Sequence, residues 1–171
     1  MRVLLVSPYH GGSHAAWAEG FARHSRHDVT LLTAPARFWK WRMFGAATTL
    51  ARQVAEPADV VVATDMVDLP AFLGRARRTL GDVPAVLYLH ENQLTYPVAE
   101  GAPDDASYGF LNWRSMETAD AIWANSAFHR DQVADALPRL LRRFPDERHD
   151  GWVDEVLART EVVPVGVEVA D

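Results

Sequence analysis

Four polar residues in a row, His90-Glu91-Asn92-Gln93, follow directly on the apolar run Ala85 to Leu89. Leaving a buried strand on four polar side chains is costly unless they meet polar partners or open into a cleft. A histidine that titrates near neutrality can exchange protons, and a carboxylate beside two amides can hydrogen-bond a polyhydroxyl substrate. A solvated loop with a capping histidine is the plainer alternative. A second group, Gly11-Gly12-Ser13-His14, stands after the first apolar run. Two residues without Cβ let a backbone come close to a ligand, while the helix that follows offers free N–H groups to an anion. The same residues also suit a strand-to-helix turn that holds no ligand. No later glycine completes GxGxxG, no acid ends the second strand and no Gly-Lys-Ser/Thr occurs, which disfavours ordinary dinucleotide binding and P-loop hydrolysis. In a third group, Arg37-Phe38-Trp39-Lys40-Trp41-Arg42, three aromatics alternate with three cations, as stacking on bases with contacts to phosphates would require. Phe38 and one tryptophan packed under a sheet edge, with the cations solvated, fits that composition equally. His10, His14 and His90 are candidate metal ligands, but the i, i+4 pair begins in a loop and no fixed acidic ligand stands nearby in sequence. No metal is expected.

Composition narrows the classes further. The 171 residues are 49% hydrophobic and 23% charged, with 10 Gly and 10 Pro, as in an ordinary globular domain. With no Gly/Ser-rich or Pro-rich linker, a single domain over residues 1–171 is expected. The absence of cysteine removes disulfides, thiolate metal sites and cysteine nucleophiles. No stretch approaches the ~18 apolar residues of a spanning helix, so a cytoplasmic protein with no membrane partner is expected. The net charge of −6 argues against a surface that grips nucleic acid all over and leaves room only for a local basic patch.

Short apolar runs alternate with amphipathic segments, the pattern of βαβ units and a parallel sheet. Six strands are expected: Arg2 to Ser7, ended by Pro8, then Val29 to Thr33, Val60 to Ala63, Ala85 to Leu89, Ala121 to Ala124 and Glu161 to Val167. The first helix runs from about His14 to Arg26 with Ser13 as its N-cap, and Met43, Ala47, Leu50 and Val54 mark a second. Asp68 caps a third, with Pro70 in its first turn and Gly81 at its end. Phe110, Trp113 and Met116 define a fourth, Ser126 caps a fifth, and another starts at Trp152; Pro138 to Asp150 shows no clear pattern. Trp17, Phe21, Phe110 and Met116 should be core, and Arg75, Arg77, Arg78, Arg139, Arg142 and Arg143 should lie on solvated faces.

In a doubly wound α/β sheet of three α/β/α layers, ligands sit outside the carboxyl ends of the strands. The polar groups fall there: His10 to His14 after the first strand, Arg37 to Arg42 after the second, Asp65 after the third, His90 to Gln93 after the fourth, Asn125 and Ser126 after the fifth. Asp65 stands where a phospho-acceptor would, but no acid pair ends the first strand and no lysine follows the fifth, which excludes that chemistry. A non-catalytic module holding a sugar, nucleotide or partner protein remains, as does a small self-contained enzyme, which the missing fingerprints disfavour.

Three blocks carry a resemblance: Ser7-Pro8-Tyr9-His10-Gly11-Gly12-Ser13-His14; Leu32-Thr33-Ala34-Pro35-Ala36 with Lys40-Trp41-Arg42; and Leu89-His90-Glu91-Asn92-Gln93-Leu94 with Tyr96-Pro97. Together they are similar to the N-terminal domain of the tRNA-queuosine alpha-mannosyltransferase family, from about Val3 to Asn125. The resemblance implies a Rossmann-like domain that is one half of a GT-B fold, on the acceptor side of a retaining glycosyltransferase acting on queuosine in tRNA. It implies a nucleotide sugar, GDP-mannose, as co-substrate, no other cofactor, and tRNA as partner. His90 and Glu91 would be the catalytic pair, orienting the acceptor hydroxyl or the transferred sugar. Gly11, Gly12, Ser13, His14, Asn92, Gln93, Asn125 and Ser126 would bind substrate, and Arg37, Trp39, Lys40, Trp41 and Arg42 would touch RNA. No side chain is assigned as general base, because the departing phosphate can take the proton. Val163 to Glu168 resembles the strand and turn leading into the donor-binding domain, whose acidic motif is absent here, so the chain alone is expected to be inactive.

Overall fold

The computed structural model describes residues 1–97, 101, 105–149 and 151–166. Its β-branched and leucine-rich runs form β1 (Arg2–His10), β2 (Asp28–Pro35), β3 (Val60–Thr64), β4 (Ala85–Leu89), β5 (Ala121–Ala124) and β6 (Thr160–Val162). These pair in parallel in the order β2-β1-β3-β4-β5-β6. The intervening helices are α1 (Gly12–His24), α2 (Trp39–Ala51), α3 (Leu69–Leu80), α4 (Ser107–Thr118), α5 (Ala127–Leu141) and α6 (Trp152–Ala158). The fold is a Rossmann-like, doubly wound α/β sheet, and the strand order reverses between β1 and β3, the place where such sheets bind ligands.

Central strands of a parallel sheet are covered on both faces and so read as unbroken apolar runs. Leu4, Val61, Ala63, Leu87 and Ile122 pack on one side with residues of α2 to α6, while Val3, Leu5, Val62 and Tyr88 pack on the other with Trp17 and Ala18 of α1. Among the described residues α1 alone covers that second face. Trp17 and Met116 are buried, Phe21 and Phe110 half-buried, and the six arginines expected on solvated faces are exposed. Asp68 caps α3 by accepting the Ala71 N–H at 3.3 Å, and Gly81 ends that helix at φ 67°.

Several boundaries differ from the sequence pattern. β1 does not stop at Pro8. The missing N–H is absorbed in a register shift between Ser7 and His10, and pairing resumes at His10 against Pro35. The N-cap of α1 is therefore Gly11 and not Ser13, which lies in the first helical turn. Helix α2 begins at Trp39, leaving Val54 beyond its end but still packed on the core. Helix α5 continues through Pro138 to Leu141, because Leu137, Leu140 and Leu141 are buried and the packing outweighs one lost helical bond. β6 is three residues long: Val163 still donates to the Ala124 carbonyl at 2.9 Å, but Pro164 has no N–H to continue the ladder. Val167 and Glu168 lie outside the described residues.

The β1–α1 turn and the end of β2 are held in close approach at one point. A Cβ at Gly11 would collide with the Cβ of Ala36, whereas a Cβ at Gly20 in α1 would meet open space. Gly11→Ala should cost roughly 1–3 kcal/mol through overpacking, and Gly20→Ala should stabilise by roughly 0.4–1 kcal/mol. Urea denaturation of both variants checks this; equal midpoints for Gly11→Ala and the unsubstituted protein would remove the contact as a constraint.

Candidate functional site

The carboxyl edge of the sheet joins residues far apart in sequence. Asp65, the first residue after β3, is wholly buried, and its Oδ1 accepts the backbone N–H of His90 at 3.0 Å while lying 3.8 Å from His90 Nδ1. The Asp65 carbonyl accepts Nδ2 of Asn112 at 2.9 Å, and Asn112 Oδ1 accepts the Gln93 N–H at 2.6 Å. From the other side, Asn125 Nδ2 donates to the His90 carbonyl at 2.6 Å. The loop after β4 is thus held from beneath by side chains that follow β3 and β5 and by one from α4. Asn92, 3% exposed, turns its Oδ1 onto the N–H groups of Leu94 and Thr95 and the Thr95 hydroxyl, which folds the loop on itself as an Asx turn. Ser126 donates to Asn125 Oδ1 at 3.0 Å and caps α5 by accepting the His129 N–H at 3.1 Å.

His90 rests on an aromatic column. Its side chain, 6% exposed, stacks on His14 with centroids 4.3 Å apart and 29° between planes, and meets Trp17 and Tyr88 edge-on at 5.0 and 4.7 Å. Burial, followed by the neighbouring His14 and His129, pulls His90 down to about 3; burial also lowers His14 and His129. Burial pushes Asp65 up to about 8, with the Glu91 carboxylate adding to it, and burial raises Glu91 as well. The low dielectric disfavours every charge here, so near neutrality Asp65 keeps its proton and the imidazoles are uncharged.

His14, Asp65 and His90 each place a donor atom within 4.8 Å of the other two. The acid that sequence spacing did not supply is therefore present, contributed by the next strand but one. The two imidazoles stack with 29° between planes, and burial keeps both uncharged near neutrality, so their nitrogens are available as hydrogen-bond partners. His10 stands apart, between the Ser7 hydroxyl and Glu19, each at 3.2 Å. Both ring nitrogens of His90 and Nδ1 of His14 are buried with no hydrogen-bond partner among the described residues, whereas the His129 ring lies against the Leu89 backbone; unpartnered buried nitrogens are costly unless a ligand or water completes them.

Two hollows open on either side of the loop. One, of about 380 Å³, is bounded by Gly12, His14, Trp39 and Gln93, with Gly11 and Ser13 at its edge; the other, of about 370 Å³, is bounded by His90, Asn92, Asn125, Ser126, Phe128 and His129. Glu91 and Tyr96 belong to both. A larger hollow of about 780 Å³ between α1 and the run Val163 to Gly166 is walled mainly by apolar groups such as Phe21 and Trp123; convergence of polar groups, not volume, marks the site. Of the basic aromatic segment, Trp39 is half-buried against Tyr108 at 5.0 Å with Lys40 Nζ 5.6 Å above its ring, and Arg42 Nε braces the turn by donating to the Pro35 carbonyl at 3.2 Å. Phe38 and Trp41 point outward, 71% and 78% exposed. Asn112 and His129 had no place in the sequence reading; the available signal for Asn112 was a polar residue inside the apolar face marked by Phe110, Trp113 and Met116.

A family model described as tRNA-queuosine alpha-mannosyltransferase N-terminal matches residues 2–167. A Drosophila melanogaster protein named tRNA-queuosine alpha-mannosyltransferase is 32% identical over 173 residues, covering 97% of this chain and 45% of the fly protein. The chain thus spans less than half the length of that relative. Among the described residues no helix is long and apolar enough to cross a membrane.

Asp65 leaves a signature in stability against pH. Its carboxyl ordinarily titrates at 3.8 but at about 8 when folded, so between those values the unfolded chain has lost a proton that the folded chain keeps, and stability falls as pH rises. His90, lowered from 6.5 to about 3, has the opposite slope across that lower range, which leaves the Asp65 slope uncompensated by His90 from about pH 6.5 to 8. Asp65→Asn, which retains an acceptor for the His90 N–H, should flatten that interval. Chemical denaturation at a series of pH values checks it, and an unchanged slope would show that Asp65 does not titrate there.

Proposed function

The chain belongs to the tRNA-queuosine alpha-mannosyltransferase N-terminal family, and on that premise we propose that it is the acceptor-side half of a retaining GT-B enzyme that moves mannose from GDP-mannose onto a hydroxyl of queuosine in tRNA. The observation that carries this reading is the position of Glu91, shared by two hollows and set on a loop held on either side of it by hydrogen bonds to Asp65 and Asn112. Transfer between two polyhydroxyl groups needs two adjoining sites with a rigid polar group where they meet.

In this scheme the acceptor nucleoside lies against Trp39 and Gln93, and the sugar hydroxyls face His90. A neutral, buried imidazole acts there as a hydrogen-bond partner and not as a cation. Glu91 orients the hydroxyl at the junction, and the departing phosphate takes its proton, so no side chain serves as base. The N-terminus of α1 has no side-chain cap and Gly12 is exposed, which leaves N–H groups open to the donor phosphates. Asn92, Asn125 and Ser126 act chiefly by holding the loop. The nucleotide of the donor is bound by a second domain, and closure of that domain completes the site. Arg37, Lys40 and Trp41 meet the RNA outside the hollow.

The full-length protein, given GDP-mannose and queuosine-containing tRNA, should add one hexose to the queuosine nucleoside, read by mass spectrometry of digested tRNA, while the 171-residue chain alone should transfer little or none. Robust transfer by the chain alone would overturn the division of labour, and no hexose gained in either case would overturn the acceptor.

Glu91→Gln in the full-length protein should lower turnover roughly tenfold or more through lost positioning with stability changed by less than about 1 kcal/mol. His90→Ala, which also removes the ring packed on His14, Trp17 and Tyr88, should lose turnover together with roughly 0.5–3 kcal/mol of stability. Unchanged turnover in Glu91→Gln would remove Glu91 from the transfer point.

A further inference from the structure

The segment that opens α2 carries two large rings in solvent, Phe38 and Trp41, 71% and 78% exposed, with Phe44 beyond them, 48% exposed and resting on Tyr108 at 5.5 Å. Clustered exposed rings mark a surface that meets something. Phe38 is held there against its backbone preference. It lies in the left-handed region, φ 55° and ψ 51°, where a bulky residue is strained and glycine would not be. Its carbonyl accepts the N–H groups of Trp41 at 2.9 Å and Arg42 at 3.1 Å, so the first helical turn fixes the strained conformation and aims the ring outward. No ring contact to Phe38 offsets that strain among the described residues.

Charge indicates what the rings meet. Between Asp28 and Glu56 the chain has no acid but carries Arg37, Lys40, Arg42 and Arg52, although its net charge is −6. Among the described residues no carboxylate is in salt-bridge range of Arg37, Lys40 or Arg42; Asp105 is the acid that feels Lys40. Cations alternating with exposed rings suit a polyanion that also presents flat faces. Paired bases in a duplex offer no such faces, whereas an unpaired loop does. The segment is also continuous with the site, since Trp39 lines the hollow beside Glu91.

We infer that Phe38 and Trp41, with Phe44 beyond them, form an external stacking platform for the unpaired nucleobases flanking the acceptor nucleoside, so that this surface takes a splayed single-stranded RNA loop. The inference rests on the tRNA reading above and adds Phe38 and Phe44 to the residues that recognise the acceptor. Trp39 faces the acceptor itself, and the outer rings hold its neighbours.

The test uses the full-length protein with a fluorescently labelled queuosine tRNA stem-loop and a duplex of matching composition, titrated at several salt concentrations. Phe38→Ala and Trp41→Ala should each weaken stem-loop binding by roughly 5- to 150-fold, leave the salt slope unchanged and leave duplex binding as it was. Arg37→Gln with Lys40→Gln should instead flatten the slope. Phe38→Gly should raise Tm by relieving strain while it weakens the stem-loop, a pairing that a purely structural role would not produce. Stem-loop binding unchanged by the ring variants, with the charge variants still weakening it, would overturn the platform and leave the tRNA reading standing. Equal losses on duplex and stem-loop would overturn its preference for unpaired bases. No RNA bound by the unsubstituted protein would overturn the tRNA reading itself, and self-association abolished by Phe38→Ala or Trp41→Ala in light scattering would reassign the rings to a contact between copies.

Discussion

The carboxyl group of Asp65, sealed under the loop that follows β4, constrains everything at the carboxyl edge of the sheet. Water does not reach it, and the groups beside it are imidazoles that are themselves buried. A charge on any of them would stand in a low dielectric without full compensation, so the acid holds its proton and the histidines stay neutral. What the carboxyl contributes is an acceptor for the His90 N–H, and that bond sets where β4 ends and the polar loop begins.

The rest of the site follows from the way strands diverge at their ends. The gap between β3 and β4 is bridged by Asn112, whose carboxamide takes the place of a peptide group by donating to one strand end and accepting from the loop of the next. The gap between β4 and β5 is bridged by Asn125, whose carboxamide donates to the His90 carbonyl. On the far side of His90, Tyr88 and Trp17 stack at 4.0 Å and provide an apolar floor on which the imidazole stands. A loop braced in this way presents Glu91 to two hollows with little freedom to move, which a positioning role requires.

Two features oppose folding locally. Three buried imidazole nitrogens, both of His90 and Nδ1 of His14, lack hydrogen-bond partners among the described residues, and Phe38 holds a strained backbone with its ring in solvent. Their location is informative, because one set lines the hollows and the other sits on the outer wall of the same site. Local choices that oppose folding are expected where a surface is shaped for a ligand.

Much of this was legible in the sequence. Period and chain order are local properties, and they determined the six parallel strands, the Asp68 cap, the Gly81 stop and the gathering of polar residues behind the strand ends; the motif blocks around Gly11-Gly12 and His90-Glu91 marked the family that the comparisons show. Tertiary structure alone decided what each polar side chain is for. Asn92, Asn125 and Ser126 line a hollow as expected of ligand contacts, and the fold also gives them bonding roles: Asn92 folds its own loop, Asn125 holds the His90 carbonyl and Ser126 caps α5, while Asp65 and Asn112, 47 residues apart, became the brace. Likewise the segment Arg37 to Arg42 could not show which ring would pack; Tyr108 from α4 takes Trp39 and leaves Phe38 and Trp41 outside. The physical reason is the same in each case: spacing along a chain specifies which face of an element a residue occupies, but burial and hydrogen-bond partners depend on what the sheet register and the crossing helices bring against that face.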